Sequence, residues 1–252
     1  MPVLVHDGLD IHYERHGSAV DSPPLLLSHG FSASARMWDL NVAALARDRE
    51  VLVWDMRGHA LSGAPADPGA YGVEQSISDM LALLEVLGAE RAVLVGMSLG
   101  GYLSLAFHAR HPQRVAGLVL VDTGPGFRRP EPREQWNSFA ERMAASLERD
   151  GLAALPAGPE VGEHSHAHGL AHAARRVMGQ RDAHVIDSLE SIAVPTLVIV
   201  GSEDRNFLGA ADYMAAKIPG ARKVVLAGAG HAANIDAADA FNALVGEFLE
   251  AL

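Results

Sequence analysis

A serine in a glycine-rich turn is the first candidate for chemistry. Ser98 lies in the segment GMSLGG (residues 96–101), between an apolar run that ends at Val95 and a helical pattern from Tyr102 to Arg110. This order predicts a strand, a tight turn and a helix. A serine at such a turn has a strained backbone that exposes its hydroxyl, and flanking glycines leave room for the neighbouring strand and helix. Since a chain with 25 glycines can contain Gly-x-Ser-x-Gly by chance, the prediction rests mainly on the position of the motif between a strand and a helix.

A serine hydroxyl is a poor nucleophile near neutral pH unless a base removes its proton. Since the base of such a site comes last along the chain, His231 is the candidate. It lies between the predicted last strand, residues 223–226, and a predicted closing helix, residues 235–249. We therefore predict that His231 is the general base.

The base needs a carboxylate that orients it and supports its charge. Asp204 closely follows the predicted strand over residues 196–200 and is the leading candidate. Two alternatives stay open, because Asp122 also ends a predicted strand and Glu203 is adjacent to Asp204. Asp55 ends a strand too, but it precedes an Arg-Gly-His loop that it is expected to fix.

Acyl transfer also needs N–H donors aimed at the developing oxyanion. Leu99 opens the predicted helix after the serine, where free amides and the helix dipole both favour negative charge. Phe31 follows the predicted strand over residues 25–28, and Gly30 before it lets the backbone approach a substrate. The backbone amides of Phe31 and Leu99 are therefore the predicted oxyanion hole.

These loops require a particular arrangement of strands. Short, nearly continuous apolar runs alternate with helical patterns, which predicts a doubly wound, mostly parallel α/β sheet with ligands at the carboxyl ends of its strands. The Asp7-Gly8 step between residues 3–5 and 11–13 predicts an antiparallel hairpin at the amino terminus. A further helix, marked by Ile77, Leu81, Leu84 and Leu87, is expected to end at Gly88.

The alternation of predicted strands and helices stops after the sixth strand and resumes near Val194. Residues 124–192 are therefore predicted to form a helical cap, inserted into a core made of residues 1–123 and 193–252. The cap should present an apolar wall to a small-molecule substrate. The predicted substrate-binding residues are Gly30 and Met97 in the core and Trp136, Phe139, Met143 and Met178 in the cap.

Composition excludes several other classes of protein. Half of the residues (49%) are hydrophobic, which predicts a globular core, and the net charge of -11 disfavours a nucleic-acid partner. The chain has no cysteine, so thiolate nucleophiles and cysteine-bound metals are excluded. No apolar run approaches the roughly 20 residues of a membrane span, and no secretory signal is recognisable, so a cytoplasmic location is expected.

Four histidines within residues 164–172 raise the question of a metal site. His164, His168 and His172 would share one face of a helix, which is a possible nickel or zinc site. No carboxylate or cysteine recurs at ligand spacing, and serine chemistry needs no metal. We therefore predict a solvated, histidine-rich helix and neither a metal nor another cofactor.

Taken together, the motifs resemble those of the α/β-hydrolase superfamily over nearly the whole chain. The resemblance rests on spaced matches at residues 29–31, 55–59, 96–101, 194–204 and 230–231. It implies that Ser98, Asp204 and His231 form a catalytic triad. Ala60 stands where the family often has glycine, which puts the shape of that loop in doubt. A serine at the elbow, where haloalkane dehalogenases and epoxide hydrolases have aspartate, argues against those branches.

The predicted function is hydrolysis of a small, mostly apolar carboxylic ester or lactone through an acyl-enzyme. The same triad also serves thioesterases and carbon-carbon bond hydrolases, and similar folds serve as low-turnover small-molecule receptors, so these alternatives stay open. Multiple turnover would distinguish an enzyme from a receptor. The sequence leaves the oligomeric state open.

Overall fold

The computed structural model describes residues 2–18 and 21–252. Its eight strands form one sheet in the order β1-β2-β4-β3-β5-β6-β7-β8, in which β2 pairs antiparallel with both β1 and β4 and all other neighbouring pairs are parallel. The predicted mostly parallel α/β sheet is confirmed. The strands are β1 (Val3–His6), β2 (Leu9–His16), β3 (Leu25–Ser28), β4 (Val51–Trp54), β5 (Ala92–Met97), β6 (Val115–Val121), β7 (Thr196–Gly201) and β8 (Arg222–Leu226).

The amino-terminal hairpin is also confirmed. His6 pairs with Leu9, and the two residues between them have positive φ angles, +50° at Asp7 and +73° at Gly8. A two-residue turn of this kind matches the twist of the strands that it joins, and aspartate followed by glycine tolerates it well.

Nine α-helices lie in the described part of the chain. They are α1 (Asp39–Leu45), α2 (Val73–Val86), α3 (Leu99–Arg110), α4 (Pro130–Asp150), α5 (Ala167–Ala173), α6 (His184–Asp187), α7 (Leu208–Lys217), α8 (Ala233–Asp236) and α9 (Ala238–Glu250). Within residues 2–18 and 21–252, no helix has both the length and the apolar composition needed to cross a membrane.

Side-chain alternation along the strands divides the core between the two faces of the sheet. Leu26 points to the face covered by α2, α3 and α7, whereas Leu25 and Leu27 point to the face covered by α1 and α9. The second face is filled largely by Trp38 and Phe241, whose ring centroids are 6.2 Å apart. Both faces are therefore covered, as the continuous apolar strands predict.

The closing helix differs from its prediction. Residues 235–249 were expected to form one helix, but α8 and α9 are separated at Ala237, which has φ -130° and ψ 47°. The Asn234 carbonyl, which would accept from residue 238 in a continuous helix, instead accepts a hydrogen bond from Asn41 Nδ2 at 2.9 Å. The break lets the chain turn between the His231 loop and the helix that packs on α1.

The cap segment, residues 124–192, contains α4, α5 and α6. Helix α4 begins with Pro130, which suits the first helical turn, and ends before Gly151, which has φ +63°. Its buried Ala140 and Ala144 belong to the same apolar cluster as α5. The division of the chain into a core and a cap remains a prediction.

Candidate active site

Ser98 lies at the sharp turn between β5 and α3. Its backbone has φ +50° and ψ -114°, a conformation that a residue with a Cβ rarely adopts and that the surroundings must hold in place. The Ser98 N–H donates to the Val121 carbonyl at 2.9 Å, which ties the turn to β6. Helix α3 begins directly after it at Leu99.

The two glycines of the pattern are needed because the turn is crowded. A Cβ on Gly96 would lie 2.5 Å from the backbone nitrogen of Gly101, and one on Gly100 would lie 2.7 Å from the His29 carbonyl oxygen. Both distances are shorter than any normal contact, and both neighbours are backbone atoms that cannot move aside. Any larger residue at either position would therefore displace the turn.

The structure brings Ser98, His231 and Asp204 into one hydrogen-bonded chain. His231 Nε2 lies 3.1 Å from Ser98 Oγ, and His231 Nδ1 lies 2.7 Å from Asp204 Oδ2. With Nδ1 protonated, the imidazole donates to the carboxylate and accepts from the serine hydroxyl. The His231 ring also stacks on Phe207, with centroids 5.0 Å apart, which limits its rotation.

The surroundings of the three hydrogen-bonded side chains favour the protonated, charged form of the His231 imidazole. The Asp204 side chain is only 4% exposed, whereas that of His231 is 41% exposed. Burial disfavours the imidazolium, but the hydrogen bond and charge of Asp204, together with the charge of Asp122, outweigh it and raise the pKa of His231. His231 is thus a stronger base than a free imidazole, as the prediction of a general base at this position expects.

The two alternative acids do not contact the imidazole. Asp122 is fully buried, and its two carboxylate oxygens accept hydrogen bonds from the backbone N–H groups of Gly201 and Ala233. Burial raises its pKa to about 7. Glu203 is exposed to solvent and interacts with the Ser202 hydroxyl at 3.4 Å. Asp204 is therefore the better placed of the three.

The predicted oxyanion amides belong to residues beside Ser98. Phe31 and Leu99 both line the cavity above the serine, and the Leu99 N–H, as the first of a helix, has no acceptor within that helix. The loop carrying Phe31 runs close to the turn, since a Cβ on Gly30 would lie 3.4 Å from Ser98 Cβ. The arrangement fits two backbone donors that face one carbonyl oxygen.

A cavity of about 810 Å³ opens above Ser98. Its wall is mostly apolar, and none of the described residues that line it is lysine or arginine. Ser98, Asp204 and His231 lie along it with Phe31, Leu99, Tyr102, Thr123, Gly124, Pro125, Gly126, Phe127, Trp136, Phe139, Met143, Met178, Gln180, Ile186, Asn206, Phe207, Ala210 and Tyr213.

The four predicted cap residues line this cavity, but the two predicted core residues do not. Met97 is 2% exposed and packs into the apolar cluster on the α1 and α9 face, because alternation along β5 turns its side chain away from the cavity. Gly30 lies against Met97, and a Cβ there would come within 2.8 Å of its sulfur. Gly30 and Met97, predicted to bind substrate, are therefore not part of the cavity wall and lie behind it.

Sequence reasoning missed several lining residues. Thr123 follows β6 directly, and Asn206 and Phe207 follow the Asp204 loop, so their positions after strand ends would have indicated them. Tyr102 lies one helical turn after Ser98 on α3. Tyr213 and Gln180 carry no comparable pattern in the sequence.

The histidine-rich segment does not form the predicted shared helical face. Helix α5 begins at Ala167, so His164 lies outside it and instead bridges the core: its Nδ1 accepts from the Ala60 N–H at 2.9 Å, and its Nε2 donates to the Ser32 carbonyl at 2.8 Å. In the parts of the chain that the structure describes, no three His, Cys, Asp or Glu side chains are grouped as metal ligands.

Ala60 adopts φ +40°, the left-handed region that favours glycine. The loop thus keeps the conformation that a glycine would take, and the Ala60 N–H reaches His164.

Comparisons with known proteins agree with this architecture. The family model described as alpha/beta hydrolase fold matches residues 23–161. The chain is 31% identical, over an alignment of 264 positions, to a putative carbamate hydrolase, RutD, of Pseudomonas savastanoi pv. phaseolicola, and the match covers 96% of this chain and 98% of that protein.

Two solved structures are similar over almost the whole chain. The enol-lactonase of Burkholderia xenovorans LB400 is 31% identical, with a TM-score of 0.79, and the match covers 99% of this chain and 100% of the enol-lactonase. A thermophilic esterase of Thermogutta terrifontis is 28% identical, with a TM-score of 0.82, over 96% of this chain and 93% of the esterase.

Proposed function

The chain belongs to the α/β-hydrolase family and is a hydrolase, and we propose that it cleaves a small, mostly apolar carboxylic ester or lactone through an acyl-enzyme on Ser98. The observation that carries this proposal is the hydrogen-bonded chain from Ser98 Oγ through His231 to Asp204, at the base of an apolar cavity.

In the first half-reaction, His231 Nε2 takes the proton of Ser98 as Oγ forms a bond to the substrate carbonyl carbon. The N–H groups of Phe31 and Leu99 stabilise the oxyanion, and Asp204 stabilises the imidazolium. When the intermediate collapses, the bond to the leaving alcohol breaks and His231 returns the proton to that oxygen. An acyl group then remains on Ser98.

In the second half-reaction, water replaces the alcohol. His231 removes a proton from water as its oxygen attacks the acyl carbon, and the same two amides receive the charge. Collapse breaks the bond to Oγ, the serine regains its proton and the carboxylic acid leaves. In a lactone the alcohol and acid stay joined, so a single hydroxy acid is the product.

The size and lining of the cavity support the substrate class. A volume of about 810 Å³ lies within the range of sites for drug-sized ligands, far more than a carbamate alone would fill. The wall contributed by Trp136, Phe139, Met143 and Met178 supports a roofing role for the cap. The names of the relatives, carbamate hydrolase, enol-lactonase and esterase, share one step, which is attack on a carbonyl bearing a heteroatom.

The test is a panel of neutral esters, lactones, thioesters, a carbamate and a vinylogous diketone, assayed with the wild type and Ser98→Ala. We expect multiple turnover of esters or lactones and a fall of at least about a thousandfold in kcat for the variant. A fluorophosphonate probe should label the wild type at Ser98 and leave the variant unlabelled.

Ser138→Ala is the matched control, because Ser138 is exposed on α4 and is absent from the cavity wall. Turnover of the diketone alone would favour the carbon-carbon hydrolase. Binding of esters without turnover would favour a receptor, and an active Ser98→Ala variant would contradict the assigned nucleophile.

A further inference from the structure

Two buried residues at the centre of the sheet are not used by the proposed reaction steps. Asp122 and Thr123 directly follow β6, which lies between the strand leading to Ser98 and the strand leading to Asp204. Their exposed fractions are 0% and 2%. Asp122 also has φ +45°, a strained conformation that must be held by its surroundings.

The Asp122 carboxylate joins two of the catalytic loops. Its Oδ1 accepts from the Gly201 N–H at 2.8 Å, three residues before Asp204. Its Oδ2 accepts from the Ala233 N–H at 2.9 Å, two residues after His231. Both oxygens of one side chain therefore fix the distance between the acid and the base.

Thr123 contacts the third loop. Its hydroxyl donates to the Ser98 carbonyl at 2.6 Å, and the Ser98 N–H donates to Val121. Both the N–H and the C=O of the strained Ser98 are thus hydrogen-bonded to residues at the end of β6. Residues 121–123 together make hydrogen bonds to all three loops that carry the triad.

We propose that Asp122 and Thr123 are positioning residues that hold Ser98, Asp204 and His231 in register for the proposed reaction. This inference rests on the proposed function. Asp122 is hydrogen-bonded to backbone amides near His231 and its charge raises the pKa of His231, so it acts on the position and the charge of the base and not on the substrate.

The donors around Asp122 explain why a carboxylate is needed there. Two N–H groups face two acceptor oxygens, whereas an asparagine would offer one oxygen and turn an NH₂ group toward the other N–H. A buried N–H without an acceptor destabilises the loop that carries it. Asparagine tolerates positive φ as aspartate does, so Asp122→Asn should fold.

The test compares Asp122→Asn with Glu203→Gln on the alkaline plateau of the pH profile, where His231 is neutral. We expect Asp122→Asn to lower kcat about 10- to 100-fold with little change in KM, since one catalytic loop loses its anchor. Glu203→Gln removes a charge from the loop that carries Asp204, but this charge is exposed to solvent, so the kcat of the variant should match that of the wild type.

The pH profile separates positioning from simple stability. The titratable groups that act on His231 are Asp204, Asp122 and Glu160. The pKa of Asp122 is about 7, so its carboxylate is charged in the upper part of the pH range of the acidic limb. Removing this charge should move the acidic limb of kcat/KM to lower pH, because a nearby negative charge favours the imidazolium. A variant that melts earlier but keeps the wild-type kcat and limb would overturn the role of Asp122.

Variants of Thr123 provide a second, independent test of the proposal, which can be carried out even if Asp122→Asn does not fold. Thr123→Val keeps the shape and removes the donor to Ser98, and kcat should fall about tenfold, while Thr123→Ser should restore it. Equal rates for the valine and serine variants would contradict the proposal. A wild type with no turnover would instead contradict the proposed function, so the two failures are distinguishable.

Discussion

At the scale of single residues, the proposed order of proton transfer rests on which atoms face each other. His231 Nδ1 faces a buried carboxylate and Nε2 faces Ser98, so one tautomer satisfies both neighbours. The positive φ of Ser98 directs its hydroxyl toward that nitrogen instead of into α3. The chemistry therefore depends on backbone strain as much as on side-chain identity.

Activity should rise with pH through the titration of His231. Only the neutral imidazole accepts the serine proton, and the neighbouring carboxylates raise the pKa of His231 above its ordinary value of 6.5. The acidic limb of kcat/KM should thus lie above pH 6.5 and the rate should fall below it. The measurement is kcat/KM for a neutral ester from about pH 5 to 9. A limb below 6.5 would mean that Asp204 and Asp122 do not support the imidazolium.

Asp204→Asn should lower kcat by about 10³- to 10⁴-fold even where His231 is neutral. The amide can donate to Nδ1 and so favours the wrong tautomer, and it carries no charge to stabilise the imidazolium. Steady-state kinetics on the alkaline plateau of the pH profile tests this, with Glu203→Gln as the neighbouring control. A larger loss in the control would transfer the role of acid to Glu203.

The meeting of Ser98, Asp204 and His231 in one hydrogen-bonded chain could be predicted because chain order and strand ends constrain their positions, whereas the contacts of Asp122 could not. Ser98, Asp204 and His231 each follow an apolar run, so their sequence positions indicate one edge of the sheet. The role of Asp122 depends on which backbone amides face its two oxygens, and no local pattern encodes that. Met97 was misplaced because β5 continues two residues beyond Val95, and alternation along the strand turns the Met97 side chain to the face covered by α1 and α9.

At the scale of elements, strands were more predictable than the connections between them. Continuous apolar runs mark buried strands directly, but the break between α8 and α9 depends on a hydrogen bond from distant Asn41. His164 likewise was expected on a helix, and its two bonds to the core come from loops more than 100 residues away. Long-range polar contacts of this kind leave no periodic pattern in the sequence.

His164→Ala should loosen the cap segment from the loop that carries Phe31. Both ring nitrogens bond to the core, and Gly162 adds a third bond to the Ser32 carbonyl at 2.9 Å. Losing two hydrogen bonds of about 1 kcal/mol each should reduce kcat/KM roughly tenfold or more, mainly through KM. Steady-state kinetics and the rate of limited proteolysis within residues 155–166 would measure it.

His166→Ala is the control for that substitution, because His166 is exposed. Its kinetics and cleavage rate should equal those of the wild type. Identical behaviour of the two variants would show that His164 does not link the cap segment to the site.

At the scale of the whole molecule, the net charge and the pairing of the cap's cationic side chains both disfavour anionic substrates. The net charge of -11 disfavours anions at the encounter stage. Arg128, near the start of the cap segment, could have offset this, but its Nε lies 2.7 Å from Asp187 Oδ1. Arg175 is likewise held by Glu141 and Glu148. These cationic side chains of the cap are therefore neutralised by neighbouring acids.

Neutral esters of short to medium acyl chain should thus be the best substrates, and a matched ester bearing a carboxylate should be poor. Each methylene buried against the apolar wall improves binding by up to about 0.8 kcal/mol, or roughly fourfold, until the chain meets the wall and further atoms cost more than burial returns. The measurement is kcat/KM across neutral acyl esters of increasing length and one carboxylate-bearing partner, at two salt concentrations. Added salt should reduce the part of the difference in kcat/KM between the neutral and the anionic ester that arises from long-range charge. The part that arises from the uncharged, apolar cavity wall should persist at both salt concentrations. A rate still rising at lipid lengths, or a preference for the anion, would show that the cavity is open or contains a cation that faces the substrate.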